Sequence, residues 1–191
     1  DGDTLDVRER LEMRYTGVTN WVFYGRGEWT QGDGRLNETG GLGFTPPIAR
    51  GTEDSRFFQK YVAGINWYPA RRVSLDVQYY FKRNEYDYSH NTDSTVNSSG
   101  DRYPAYLVMQ NFQTHDAHVR LTWRPVSRVS LVTRYEIQWS TIDTRPDSVS
   151  GLGEEQSSST TSHIIGQNIN WTPWSRLFLQ VGFNYVLSDT R

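Results

Sequence analysis

The chain has 191 residues, a net charge of -2 and no cysteine, with seven Trp and twelve Tyr set in a sequence of low mean hydropathy. Its length suits one sizeable domain, and the near-neutral charge excludes the concentrated basic surface that a nucleic-acid partner requires. The missing thiols exclude a disulfide scaffold, a thiolate metal site, a cysteine nucleophile and c-type haem attachment, and no apolar run approaches the roughly 20 residues of a transmembrane helix.

In chain order, Leu11, Met13 and Tyr15 oppose Arg8, Arg10, Glu12 and Arg14, and a tight turn at 16–20 leads into Trp21-Val22-Phe23-Tyr24. Near residue 68, Asn66-Trp67-Tyr68-Pro69-Ala70-Arg71-Arg72 runs into a strand with Val73, Leu75, Val77, Tyr79 and Phe81 on one face. Ser74, Asp76, Gln78 and Tyr80 form its other face, with Lys82 following. Next, Ala117, Val119, Leu121 and Trp123 oppose Asp116, His118, Arg120 and Thr122. The turn Trp123-Arg124-Pro125-Val126-Ser127-Arg128 then opens a strand with Val129, Leu131, Thr133, Tyr135, Ile137 and Trp139 on one side. Ser130, Val132, Arg134, Glu136 and Gln138 lie on its other side. Finally, Trp171-Thr172-Pro173-Trp174-Ser175-Arg176 leads into Leu177, Leu179, Val181, Phe183, Tyr185 and Leu187, opposed by Phe178, Gln180, Gly182, Asn184 and Val186. Period-two alternation of this kind is the signature of strands, and helical spacing fits none of it. Tight turns are expected at 16–20, 68–72, 124–128 and 172–176, three with a Pro suited to a strand end. Long polar loops are expected at 31–56, 90–110 and 142–161, two carrying the low-complexity runs 94–100 and 157–162.

The anchors Tyr15, Trp67, Trp123 and Trp171 recur roughly 50 residues apart, the period of two long strands and a loop. Repeated hairpins with aromatic girdles, short turns on one side and long loops on the other predict an all-β, antiparallel, up-and-down transmembrane β-barrel of eight strands in four hairpins. Residues 1–191 read as one section without an internal boundary. An apolar face of five alternate residues spans about 27 Å at about 3.3 Å per residue. Tilted by about 40°, it projects to about 20 Å, close to the apolar band of about 25 Å expected for such a barrel. Tyr15, Trp67, Trp123 and Trp171 are expected at one membrane interface, and Trp29, Tyr79, Trp139 and Tyr185 at the other. The polar positions Arg10, Glu12, Arg14, Arg26, Glu28, Lys60, Asp76, Gln78, Asp116, His118, Arg120, Arg134, Glu136 and Gln180 are expected to face the lumen. Arg8 and Lys82 belong to the same charged ensemble, which either braces a narrow lumen or lines a wide aqueous pore. Odd residues such as Leu75, Leu121, Leu131, Ile169 and Leu179 should face lipid, and a one-residue slip would put charges in hydrocarbon. Alternation leaves a soluble β-sandwich or lipocalin-like barrel as an alternative, with the same apolar residues turned inward.

Strand direction places both ends of the sequence on the long-loop side, so the eight strands are expected to be an internal section of a larger barrel, with the edges near Leu11 and Val181 not paired to each other. The repeated Trp-x-Pro-x-x-Arg-Val/Leu-x-Leu units resemble those of large bacterial outer-membrane porins, including barrels that sheath multihaem cytochromes. That resemblance implies a bacterial outer-membrane location and a passive pore, or a scaffold for a partner. The implied partners are the lipid bilayer, the remaining strands of the barrel, and a periplasmic or multihaem cytochrome.

No catalytic, metal or cofactor site is expected. Gly32-Asp33-Gly34 and Gly40-Gly41-Leu42-Gly43 lack the strand–helix context of a phosphate loop. His115-Asp116-Ala117-His118 is the one tempting cluster, since Asp116 and His118 share a face and a barrel hydrolase would need such a pair. It reads more simply as a polar pair on a water-facing wall. His90 and His163 read as solvated residues near loop ends.

Overall fold

The computed structural model describes residues 2–40, 48–91, 107–146 and 156–191. They form β1 (Gly2–Tyr15), β2 (Trp21–Gly40), β3 (Ile48–Ala70), β4 (Val73–Asn91), β5 (Leu107–Val126), β6 (Val129–Pro146), β7 (Gln156–Trp174) and β8 (Leu177–Thr190). Each strand pairs antiparallel with its sequence neighbours, and β1 and β8 are the free edges of an open eight-stranded sheet. This is the expected meander, with Leu11 and Val181 on opposite edges.

The repeated turn has a local cause. Register slips between Trp67 and Ala70, between Trp123 and Val126, and between Trp171 and Trp174, each time leaving one extra residue on the incoming strand. Pro69, Pro125 and Pro173 occupy these bulges, where a residue without an N–H removes no ladder bond. The first hairpin has no Pro and no such slip. It turns through residues 16–20, with Trp21 N–H donating to the Val18 carbonyl at 3.1 Å. Asn20 supplies the positive φ, 65°, a conformation Asn tolerates well.

Outside these bulges and one further slip between Leu107 and Met109, odd-numbered residues pair with odd-numbered ones in every ladder. One face of the sheet is therefore odd and the other even from β1 to β8. The odd face carries an apolar band that nothing covers, with Val119, Leu121 and Ile169 about 40 % exposed and Val181 64 %.

The even face is the inside of the curve. Side chains two strands apart touch only where a sheet is concave, because strands lie about 4.8 Å apart. Tyr24 of β2 reaches Gln78 of β4 at 3.1 Å, Arg56 of β3 reaches Asp6 of β1 at 3.2 Å, and Gln138 of β6 reaches Tyr80 of β4 at 3.2 Å. All of these residues are even. On the odd face the described contacts join adjacent strands, as in Trp29–Tyr61 and Tyr79–His115.

The long loops are a correction. Within 31–56, residues 31–40 and 48–56 are ladder, β6 runs to Pro146, and β7 starts at Gln156. Gly32-Asp33-Gly34 and the serine run 157–162 accordingly lie in strands, whereas 41–43 and the run 94–100 fall outside the described residues. The reason is that beyond the apolar band both faces are polar, so the period-two signal vanishes. The backbone still needs partners for its N–H and C=O groups, and the ladder supplies them.

Candidate lumen-facing site

All of the expected lumen-facing residues, from Arg10 to Gln180, fall on the concave even face. The register brings most of them into one belt. At its centre His118 sits between two carboxylates, with Nε2 3.2 Å from Asp76 Oδ1 and Nδ1 3.6 Å from Asp116 Oδ1. Asp116 is 1 % exposed, and its Oδ2 has no hydrogen-bond partner among the described residues. On the other side of Asp76, the Tyr24 hydroxyl donates to Gln78 Oε1 at 3.1 Å and lies 3.4 Å from Asp76 Oδ2. Tyr24 crosses β3 only because residue 64 is glycine, where a Cβ would stand 2.2 Å from the ring. A recess of about 270 Å3 opens beside it, lined by Glu12, Arg14, Tyr24, Arg26, Val62 and Gln78 among others.

The flanking charges pair locally. Arg10 contacts Glu12 and lies 3.7 Å from Glu28, while Arg26 lies 3.4 Å from Glu28 and 3.9 Å from Glu12. Arg56 lies 3.0 Å from Asp54, and Arg134 lies 3.8 Å from Glu136. Asp6, Glu12, Glu28, Asp54, Asp76, Asp116 and Glu136 thus all face a cation or an imidazole. The residue left over is positive. Arg8, Arg14, Lys82 and Arg120 have no ion-pair partner among the described residues, and the Lys60 ammonium stands 4.8 Å over the Tyr80 ring. Lys60 is directly opposite Lys82, and Arg120 directly opposite Arg134. Like charges so placed repel and destabilise a sheet. Gln180 lies apart from this belt, opposite Asn170 on the uncharged even faces of β7 and β8.

The expected interface aromatics all fall on the convex odd face. Near the short turns, Trp21 stacks on Trp67 at 5.4 Å and Tyr15 packs on Phe23 at 6.4 Å. Toward the other end, Trp29 Nε1 donates to the Tyr61 hydroxyl at 2.9 Å. Tyr79 lies one ladder step nearer the turns than Phe81, its hydroxyl 2.7 Å from His115 Nδ1. Tyr135 and His163 repeat this contact at 2.9 Å. His163 is therefore a strand residue in a ring pair, and not a loop-end group. His90 is likewise in β4, with Nδ1 3.1 Å from Thr52 Oγ1 and Nε2 2.7 Å from the Leu107 carbonyl. Tyr61, Tyr135, His115 and His163 take part in the same odd-face ring contacts and were not singled out from the sequence. Repeat alignment would have found the two pairs, since both His stand the same distance before their Trp and both Tyr the same distance after their turn.

Among the described residues the contacts of His118 go to the carboxylates of Asp76 and Asp116, and no Ser, Thr or Tyr hydroxyl bonds to its ring. Among the described residues, no group of three or more His, Asp or Glu side chains has the arrangement of a metal site.

No protein-family model and no curated protein matches the chain. Among solved structures it is similar to the copper transporter OprC, with TM-score 0.59 and 12% identity over 88% of this chain and 31% of that one. A further similarity is to the Pseudomonas putida toluene transporter TodX, with TM-score 0.44 and 10% identity over 97% of this chain and 56% of that one. The chain spans less than a third of OprC, and over that stretch the two share the fold of an antiparallel, up-and-down β-barrel wall.

Proposed function

We propose that this sheet is a section of a larger bacterial outer-membrane β-barrel, its odd face against lipid and its even face lining a passive aqueous passage that favours anions. The observation that carries the reading is the direction of curvature. Contacts between strands two apart put the charged face on the concave side and leave the aromatic-rimmed apolar band convex. A lipocalin-like domain has the opposite arrangement, with apolar residues inside the curve. Open edges and partial coverage of OprC support a barrel wider than eight strands, since eight strands close only around side chains. OprC is a transporter by name, which is in keeping with a conducting role.

The anion preference follows from the surplus cations. With the described even-face carboxylates of β1 to β6 largely matched, Arg8, Arg14, Lys60, Lys82 and Arg120 supply the field that a passing solute meets within a screening length of about 10 Å. Reconstitution of the full-length protein in planar bilayers under a KCl gradient tests both parts. Discrete channels are expected, and the double substitution Lys60→Glu with Lys82→Glu should shift the reversal potential toward cation preference. Electrical silence with a co-purifying Soret band would favour the rival reading, a barrel filled by a haem-protein partner.

A further inference from the structure

Successive hairpins are clamped to each other at the short-turn rim by a device that repeats. The Asn20, Arg72 and Arg128 carbonyls each accept from the backbone N–H of the residue after the next hairpin's Trp, namely Tyr68, Arg124 and Thr172, all at 2.8 Å. In the last two junctions the arginine side chain adds a second bond. Arg72 Nη1 donates to the Pro125 carbonyl and Arg128 Nη1 to the Pro173 carbonyl, both at 2.9 Å. The register is also constant, because the residue after the clamping position pairs with the anchor Trp: Trp21 with Trp67, Val73 with Trp123, and Val129 with Trp171.

Arg176 holds the same place in the last hairpin, followed by Leu177 at the free edge of β8. Among the described residues neither its guanidinium nor its carbonyl has a partner. An arginine bond to a carbonyl is charge-assisted and stronger than a neutral one, so an unfilled clamp is a specific half-site. We infer that the β8 edge binds an antiparallel strand whose short-turn end carries an aromatic-x-Pro unit. The aromatic lies opposite Leu177, the x residue N–H donates to the Arg176 carbonyl, and the Pro carbonyl accepts from the Arg176 guanidinium. This rests on the barrel-section reading and adds to it the sequence, register and atoms of the next junction. Continuity with the three existing junctions favours a further repeat of the same unit over a second copy's β1, whose Tyr15-Thr16-Gly17 has no Pro.

Site-specific photo-crosslinking in native membranes tests this in the full-length protein. The probe is p-benzoylphenylalanine placed singly at Phe178, on the even face of the β8 edge, at Ser130, its equivalent one hairpin earlier, and at Val119, in the odd band. Ser130 should join the peptide containing Trp171 to Pro173, Val119 should give lipid adducts, and Phe178 should join a peptide containing an aromatic-x-Pro unit other than Trp171-Thr172-Pro173 of its own hairpin. Cross-linking of Phe178 to Tyr15–Gly17 of another copy would overturn the inference in favour of copy-to-copy closure. Loss of any peptide adduct at Phe178, with both controls intact, would overturn the clamp and leave the barrel reading standing. Absence of lipid adducts at Val119 would remove the barrel reading and the inference with it.

Discussion

The two faces of this sheet share every backbone hydrogen bond and differ only in the parity of the residue that faces each way. On the odd face, Val119 and Leu121 stand exposed in an apolar band rimmed by rings. On the even face, one residue away, His118 and Arg120 stand among carboxylates and cations. A strand here has no core in the usual sense, and Val62 is the one buried apolar side chain among the described residues apart from Pro146 and Pro173. What fixes the fold is the match between each face and its solvent. The apolar band of the odd face should therefore tolerate almost no charge, and the even face should tolerate charge but resist disruption of its contacts.

The largest expected effect is a charge on the odd face. Val119→Arg, midway between Trp123 and His115 on the odd face of β5, should cost about 2–4 kcal/mol, whereas Thr122→Arg on the even face should cost well under half as much. Equilibrium unfolding in lipid vesicles with guanidinium compares them, and equal costs would break the distinction between the faces. Next is crowding of the even face at Gly64. Gly64→Val would push Tyr24 off its partners Gln78 and Asp76 and should destabilise by about 1–3 kcal/mol. Tyr24→Phe should be milder, and its combination with Gly64→Val should be less than additive.

Smaller still is the loss of a ring contact on the odd face. Tyr135→Phe removes the hydroxyl from His163 and should cost about 0.5–1.5 kcal/mol, with Tyr79→Phe behaving alike at His115. The smallest effect has the opposite sign. Lys82→Gln relieves the repulsion against Lys60 and should stabilise by about 0.2–1 kcal/mol while lowering anion preference in bilayers. A clear loss of stability on Lys82→Gln would mean that this lysine is paired.

How far the sequence discloses this differs from element to element. Strands from Val73 to Phe81 and from Val129 to Trp139 were legible because one solvent on each side imposes strict alternation. The shared parity of all the hairpins was legible too, because each bulge-and-turn unit restores the same face. The strand extensions at 31–40 and 48–56 were not, since water on both sides erases the pattern while the ladder continues. Curvature was hidden for a different reason. Alternation is symmetric between inside and outside, and only contacts such as Tyr24 with Gln78 across Gly64 break the tie. Asp116 and His118 were visible as a pair, but the role of Asp76 as the second carboxylate needed the β4–β5 register.

No native cysteine in these 191 residues competes with one introduced there, so the central claim is directly measurable. Single cysteines introduced in turn from Ala117 to Thr122 of β5, in the full-length protein in native membranes, would be exposed to a membrane-impermeant maleimide. Labelling should alternate, with His118, Arg120 and Thr122 positions reactive through the aqueous passage and Ala117, Val119 and Leu121 positions protected by lipid. Protection of the even positions with labelling of the odd ones, or uniform labelling of both, would contradict the assignment of the concave face to water and the convex face to the bilayer.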